Sequence, residues 1–266
     1  MCIRDSPYGL PRLGREESVK ALTAEHVKSW HAATVGKQFP LVLIVGDTDG
    51  SVLVSGIIAR EVRRSELQGV FQMVTPKLPT EQVRLAESKD CCAVVQARGF
   101  LGPPGQSDDN FALIVLTHLG FGQGRKLMIE LRNRQALAHT VEASVERRLA
   151  GGLIAIQLAT APESEASARQ VLESHIGRLI KEPVSEDDLR FGINASLGSQ
   201  AARLERRTEL TLEYARAFFL SSKPKAVENY EQKLRAVTAA DIQRIATTYL
   251  KLSQSALGVV RVKEKK

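Results

Sequence analysis

Two consecutive segments, "ALAHTVEASVER" and "GGLIAIQLATA", constrain this chain more than any other. They read as two strands turned at Gly151 and Gly152, with Ile154, Ile156 and Leu158 alternating along the second. Alternation at period two puts those three side chains on one sheet face, which must be covered to leave water. The next segment, "PESEASARQVLESHIGRLI", carries Val171, Leu172, Ile176, Leu179 and Ile180 at helical spacing. A sheet face followed by a matching helical stripe predicts an α+β fold, with helices packed on one face of an antiparallel sheet.

Neighbouring segments extend this block. "CCAVVQARGF" reads as a strand, "LGPPGQ" as a loop, and Ser107 or Asp108 as the cap of the helix "DNFALIVLTHL". "GFGQG" interrupts the chain before "RKLMIELRNRQ" resumes as helix. Ser185 with Asp188 forms a capping box for "SEDDLRFGINASL". Helices are expected over roughly residues 199–220, 224–236 and 239–250, and "SALGVVRVK" closes the block as a strand.

Upstream the pattern is poorer. A turn "PYGLPRLG" and a short helix "REESVKAL" precede the helix "AEHVKSWHAAT", capped by Thr23. "FPLVLIVGD" reads as a strand and "GSVLVSGIIAREVRR" as a helix. These elements are too few to close a core, so residues 7–71 are expected to be the end of a first domain. Residues 72–90 are expected to be a linker holding at most one strand, and 91–266 a second domain. Back-translation of Met1–Ser6 matches a transposon mosaic end, so 1–6 is expected to be translated sequencing adapter.

Several function classes are excluded. The longest apolar runs fall far short of the roughly 20 residues that span a membrane. The net charge of +7 comes from cations mixed with acids along helices, and aromatics are scarce at 5%, so no nucleic-acid surface is expected. With three cysteines, a disulfide framework and a four-ligand zinc site are both excluded by count. Cys91 and Cys92, read on a strand, should point to opposite faces. The glycines of "GFGQGRK" lack the preceding strand and the Lys-Ser/Thr pair of a phosphate loop.

The ordered segments "PYGLPRLGREESVKALTAEHVKSW", "LVLIVGDTD" and "GFGQGRKLMIELRNRQALAHTVEA" resemble the insulinase/pitrilysin family of zinc metallopeptidases over essentially residues 7–266. That family carries H-x-x-E-H in its first domain, where two His and a carboxylate hold zinc and the inner Glu activates water. Among His26, His31, His118, His139 and His175 no pair brackets such a motif. The resemblance therefore implies no cofactor in this piece and zinc in the intact parent. It also implies a peptide substrate and a second family half or subunit that completes a chamber.

In the family, an Arg and a Tyr seven residues later face the metal and hydrogen-bond the substrate. Arg132 matches the Arg, His139 stands at the Tyr position, and Lys126 aligns with a family Arg. The resemblance thus implies substrate-binding roles for Arg132, His139 and Lys126. The residues alone leave Arg132 open as a solvated helix charge and His139 as an ordinary strand residue. The alternative at the whole-chain level is a non-catalytic subunit that completes a chamber or braces a complex.

Overall fold

The computed structural model describes residues 13–35, 41–47, 49–52, 55–56, 76–122, 126–221 and 227–263. Met1–Ser6, the turn at 7–11, most of the helix expected from 50 onward and positions 123–125 of the glycine-rich break lie outside them.

Five strands form one sheet: β1 (Val83–Lys89), β2 (Val94–Gly102), β3 (Thr140–Glu146), β4 (Gly152–Thr160) and β5 (Ala256–Val262). Their order is β1-β5-β2-β4-β3. The hairpin read from Gly151 and Gly152 is present, with Val145 opposite Ile154 and Val141 opposite Leu158. The pairings β3–β4, β4–β2 and β2–β5 are antiparallel, but β1 runs parallel to β5. The last strand inserts between the first two. Because β2 already runs against β1, a strand antiparallel to one must be parallel to the other. The expectation of a purely antiparallel sheet is corrected at that edge.

Burial alternates along β2 and β4. Phe100, Ile154, Ile156 and Leu158 are buried among helices, while Val95, Ala97, Ala155 and Gln157 on the opposite face are partly or fully exposed. The main core forms where this face meets α3 (Asp109–Phe121), α5 (Glu165–Lys181) and α9 (Ala239–Tyr249). Leu113, Leu116, Ile176, Ile242 and Ile245 sit in it with Ile156 and Leu158. Removing one such side chain to Ala costs about 2–5 kcal/mol.

Local chemistry explains the helix ends. Ser107 Oγ, not the Asp108 carboxylate, accepts from the backbone N–H of Asp109 at the start of α3. Ser185 caps α6 (Glu186–Leu204) by accepting from the Asp188 N–H at 3.2 Å. Thr238 and Asp241 form a reciprocal capping box on α9. At α6, Gly192 allows close passage over α3, because a Cβ there would lie 2.9 Å from Leu119 Cβ. The chain breaks at residues 205–206 and resumes as α7 (Arg207–Ser221), so the expected helix over 199–220 is two helices. The short α8 (Tyr230–Arg235) then leads to α9.

The first block differs from its sequence reading. Helices α1 (Glu16–Lys20) and α2 (Ala24–Ala33) form as expected, and Thr23 caps α2 by accepting from the His26 N–H. The His26 ring returns the favour, its Nδ1 accepting from the Thr23 N–H. Neither helix buries a residue: Val27 is 55% and Trp30 60% exposed. Residues 41–47 are not a strand, since no described segment offers the neighbour that strand hydrogen bonding requires. Cys91 and Cys92 also lie off any strand. β2 begins only at Val94, and the two thiols sit in the connection that carries the chain past the end of β5.

Candidate functional site

The segment between α3 and β3 is built by a sequence of backbone constraints. His175 on α5 is buried, and its Nε2–H donates to the Gly120 carbonyl at 2.9 Å. Its ring also meets Phe121 edge-on, with centroids 5.6 Å apart. The end of α3 is thereby pinned to α5. Gly122 follows at a point where a Cβ would come within 2.3 Å of the His118 carbonyl, so no side chain fits without moving the helix end.

The chain then enters α4 (Lys126–Met128), anchored by Leu127 and Met128 in the core. It continues not as α-helix but as a π-helical segment, Ile129–Arg134, with the Gln135 N–H reaching back to the Glu130 carbonyl at 3.1 Å. Segments of this type are rare and recur at functional sites. Leu131 is fully buried, while Arg132, Asn133 and Arg134 are exposed. Ala136 adopts φ +50°, the left-handed conformation that an alanine disfavours. His139 is exposed, and its backbone N–H donates to the Ala159 carbonyl immediately before β3 begins.

Of the residues singled out from the sequence, Arg132 and His139 are thus both exposed and lie on the two arms of one turn. The turn is closed by the Leu131 carbonyl, which accepts from the N–H groups of Leu137 and Ala138. Lys126 opens α4, on the preceding stretch of the same segment. The π-helical widening, the strained Ala136 and the His175 clamp were not foreseen. Only His175 leaves a trace in the sequence, since its spacing from Leu172 and Leu179 puts it on the apolar face of α5.

A catalytic zinc requires three protein donors that converge on one point. Among the described residues no three His, Cys, Asp or Glu side chains converge. His175 spends its N–H on Gly120, and burial pushes the His118 imidazole below its ordinary pKa. His26 is engaged in capping α2. The described residues therefore do not fit a zinc site.

Compared with protein families, residues 21–196 match the family described as the peptidase M16 inactive domain. This chain belongs to that family. The M16 assignment agrees with the insulinase-type segments in the sequence and with their order. A protein of Mycobacterium tuberculosis named as an uncharacterized zinc protease is 24% identical over 255 residues, covering 91% of this chain and 56% of its own length. Among solved structures, a protease from Helicobacter pylori aligns with a TM-score of 0.81 at 17% identity, over 96% of this chain and 63% of that one. A peptidase M16 inactive domain from Pseudomonas fluorescens also gives 0.81 at 14% identity, over 100% of this chain and 65% of that one. This chain shares its fold with both solved structures. The chain spans a little over half the length of the curated relatives it matches. Among the described residues no helix is long and apolar enough to cross a membrane.

Proposed function

We propose that this chain is the non-metal wall of an M16 peptidase chamber. In this reading Arg132 and His139 hold a bound peptide by hydrogen bonds to its carbonyl or carboxylate oxygens. The observation that carries it is the Leu131-closed turn, which is anchored by the buried Leu131 and Ala138 and leaves the Arg132 and His139 side chains open to solvent on its two arms. An Arg guanidinium offers a fork of donors to a carbonyl or an oxyanion, and an imidazole N–H offers one more. Donors aimed at developing negative charge are worth several kcal/mol of barrier. Lys126, at the start of α4, is the third residue that the family resemblance assigns to the substrate.

Zinc, with the acid and histidine residues that hold it, belongs in this reading to polypeptide outside the described residues, either a longer form of this chain or a partner subunit of the family. The exposed apolar residues of α1 and α2 support that, since Val19, Val27 and Trp30 have no cover among the described residues. The substrate class is peptide.

The test is reconstitution. The chain alone should not cleave a quenched fluorescent peptide, and its mixture with a family half carrying H-x-x-E-H should, with chelator abolishing the activity. A properly assembled complex that never hydrolyses peptide contradicts the proposal.

A further inference from the structure

A second polar site lies away from the Arg132 turn, where the β3–β4 turn meets α6 and α7. Glu213 on α7 is only 4% exposed, yet three arginines converge on it. Arg147 donates to one carboxylate oxygen at 2.6 Å, and Arg203 and Arg216 to the other at 2.9 and 3.4 Å. Arg147 holds the Glu213 carboxyl below its ordinary pKa against the opposing effect of burial, so the centre of the cluster stays anionic at neutral pH.

One guanidinium is enough to pair one buried carboxylate. The second and third add like-charge repulsion where water is partly excluded, and such charge is costly unless something compensates it. Among the described residues Glu209 relieves Arg203 alone, at 3.5 Å. The excess opens into a cavity of about 460 Å³, lined by Arg147, Arg148, Arg203 and Arg216 and, on the acidic side, by Glu213 and by Glu146, which Arg148 neutralises at 2.7 Å. The Arg147, Arg203 and Arg216 side chains remain 23%, 33% and 50% exposed. Each guanidinium carries five N–H groups, more than Glu213, Glu209 and Gln200 accept from them.

We propose that this cavity binds a small free oxyanion of the phosphate or carboxylate class, held by the outward N–H groups of Arg147 and Arg216 beside the Glu213 cluster. The site is independent of the peptidase reading. Its size admits one anionic group with a short organic body, not a nucleic-acid strand.

The experiment is calorimetric titration of the full chain with inorganic phosphate, then with succinate, at constant ionic strength set with sodium chloride. Saturable binding of at least one anion is expected. Loss of a charge-assisted hydrogen bond in Arg147→Gln or Arg216→Gln should weaken it about tenfold. Arg190→Gln, on an exposed part of α6, should bind as wild type. Absence of saturable binding for both anions overturns the proposal, as does equal weakening in Arg190→Gln. Arg216 is half exposed, so its variant should keep the native circular dichroism, and full affinity in that folded variant overturns the proposal even if Arg147→Gln fails to fold.

Discussion

The carbonyl oxygen of Leu131 accepts from the N–H of Leu137 at 2.7 Å and from that of Ala138 at 3.2 Å. This shared acceptor folds the chain back on itself and forces Ala136, between the two arms, to φ +50°. Left-handed backbone costs an L-residue about 1–2 kcal/mol, and glycine escapes that cost while losing about 0.4–1 kcal/mol through a freer unfolded chain. Ala136→Gly should therefore stabilise the protein by about 0.5–1 kcal/mol. Urea unfolding checks this, and a loss of stability would show that the turn is not held as described.

Trp30 is the single tryptophan of the chain and is 60% exposed on α2. Its fluorescence should respond to acrylamide or iodide almost as free indole does. Trp30→Ala should change stability by no more than about 0.5 kcal/mol, as for an unpacked surface side chain. A shielded indole in this chain would contradict the exposure of Val27 and Trp30 on α2. Addition of the H-x-x-E-H family half used for reconstitution should shift the emission to the blue if that half covers α2.

How far such features were legible depended on whether they were local. The hairpin at Gly151–Gly152, the Thr23 and Ser185 caps and the core stripe of Leu172 and Ile176 are written in periodicity and short-range chemistry, and they form as read. The parallel pairing of β1 with β5 joins Val83 to Ala256, and nothing near either residue encodes it. The strand expected at "LVLIV" needed a neighbour, which residues 41–47 lack among the described residues. For the candidate site, Arg132, His139 and Lys126 came from resemblance alone. Their setting, a π-helical segment closed on Leu131, depends on hydrogen bonds that no spacing rule reports.

Arg98 on β2 is the largest polar side chain in the interior, 1% exposed. Its guanidinium bonds Glu173 on α5 and, at 3.1 Å, Ser255 Oγ. Burial lowers its pKa and Glu173 opposes that change. Glu173→Ala leaves a buried cation with one weak partner and should cost about 2–3 kcal/mol. The double variant Arg98→Met/Glu173→Leu should recover most of that loss. A double variant as unstable as the single one would mean that the pair matters for packing, not for charge.

Two carboxylates predict the acid response. Glu213 and Glu165 are both held below the ordinary value of 4.5, Glu213 by Arg147 and Arg203 against burial, and Glu165 chiefly by its hydrogen bond from Arg261. A depressed folded-state pKa means that the unfolded chain takes up protons first as pH falls. Their contribution is thus fully present above about pH 4.5 and is lost progressively below it, as pH passes down through the folded values. Unfolding free energies between pH 7 and 3 should fall in that lower range. Glu213→Gln should be less stable at neutral pH and show a shallower acid slope, and an unchanged slope would remove Glu213 from the account.

The most direct test of the chamber-wall reading is the turnover of the reconstituted complex carrying Arg132→Ala, compared with Arg235→Ala on α8 as a control for lost surface charge. Removal of a donor aimed at the reacting oxygen should lower kcat about 100-fold with little change in KM, and His139→Tyr should raise it. An Arg132→Ala complex that turns over peptide as fast as the control would contradict the assignment of this turn to substrate.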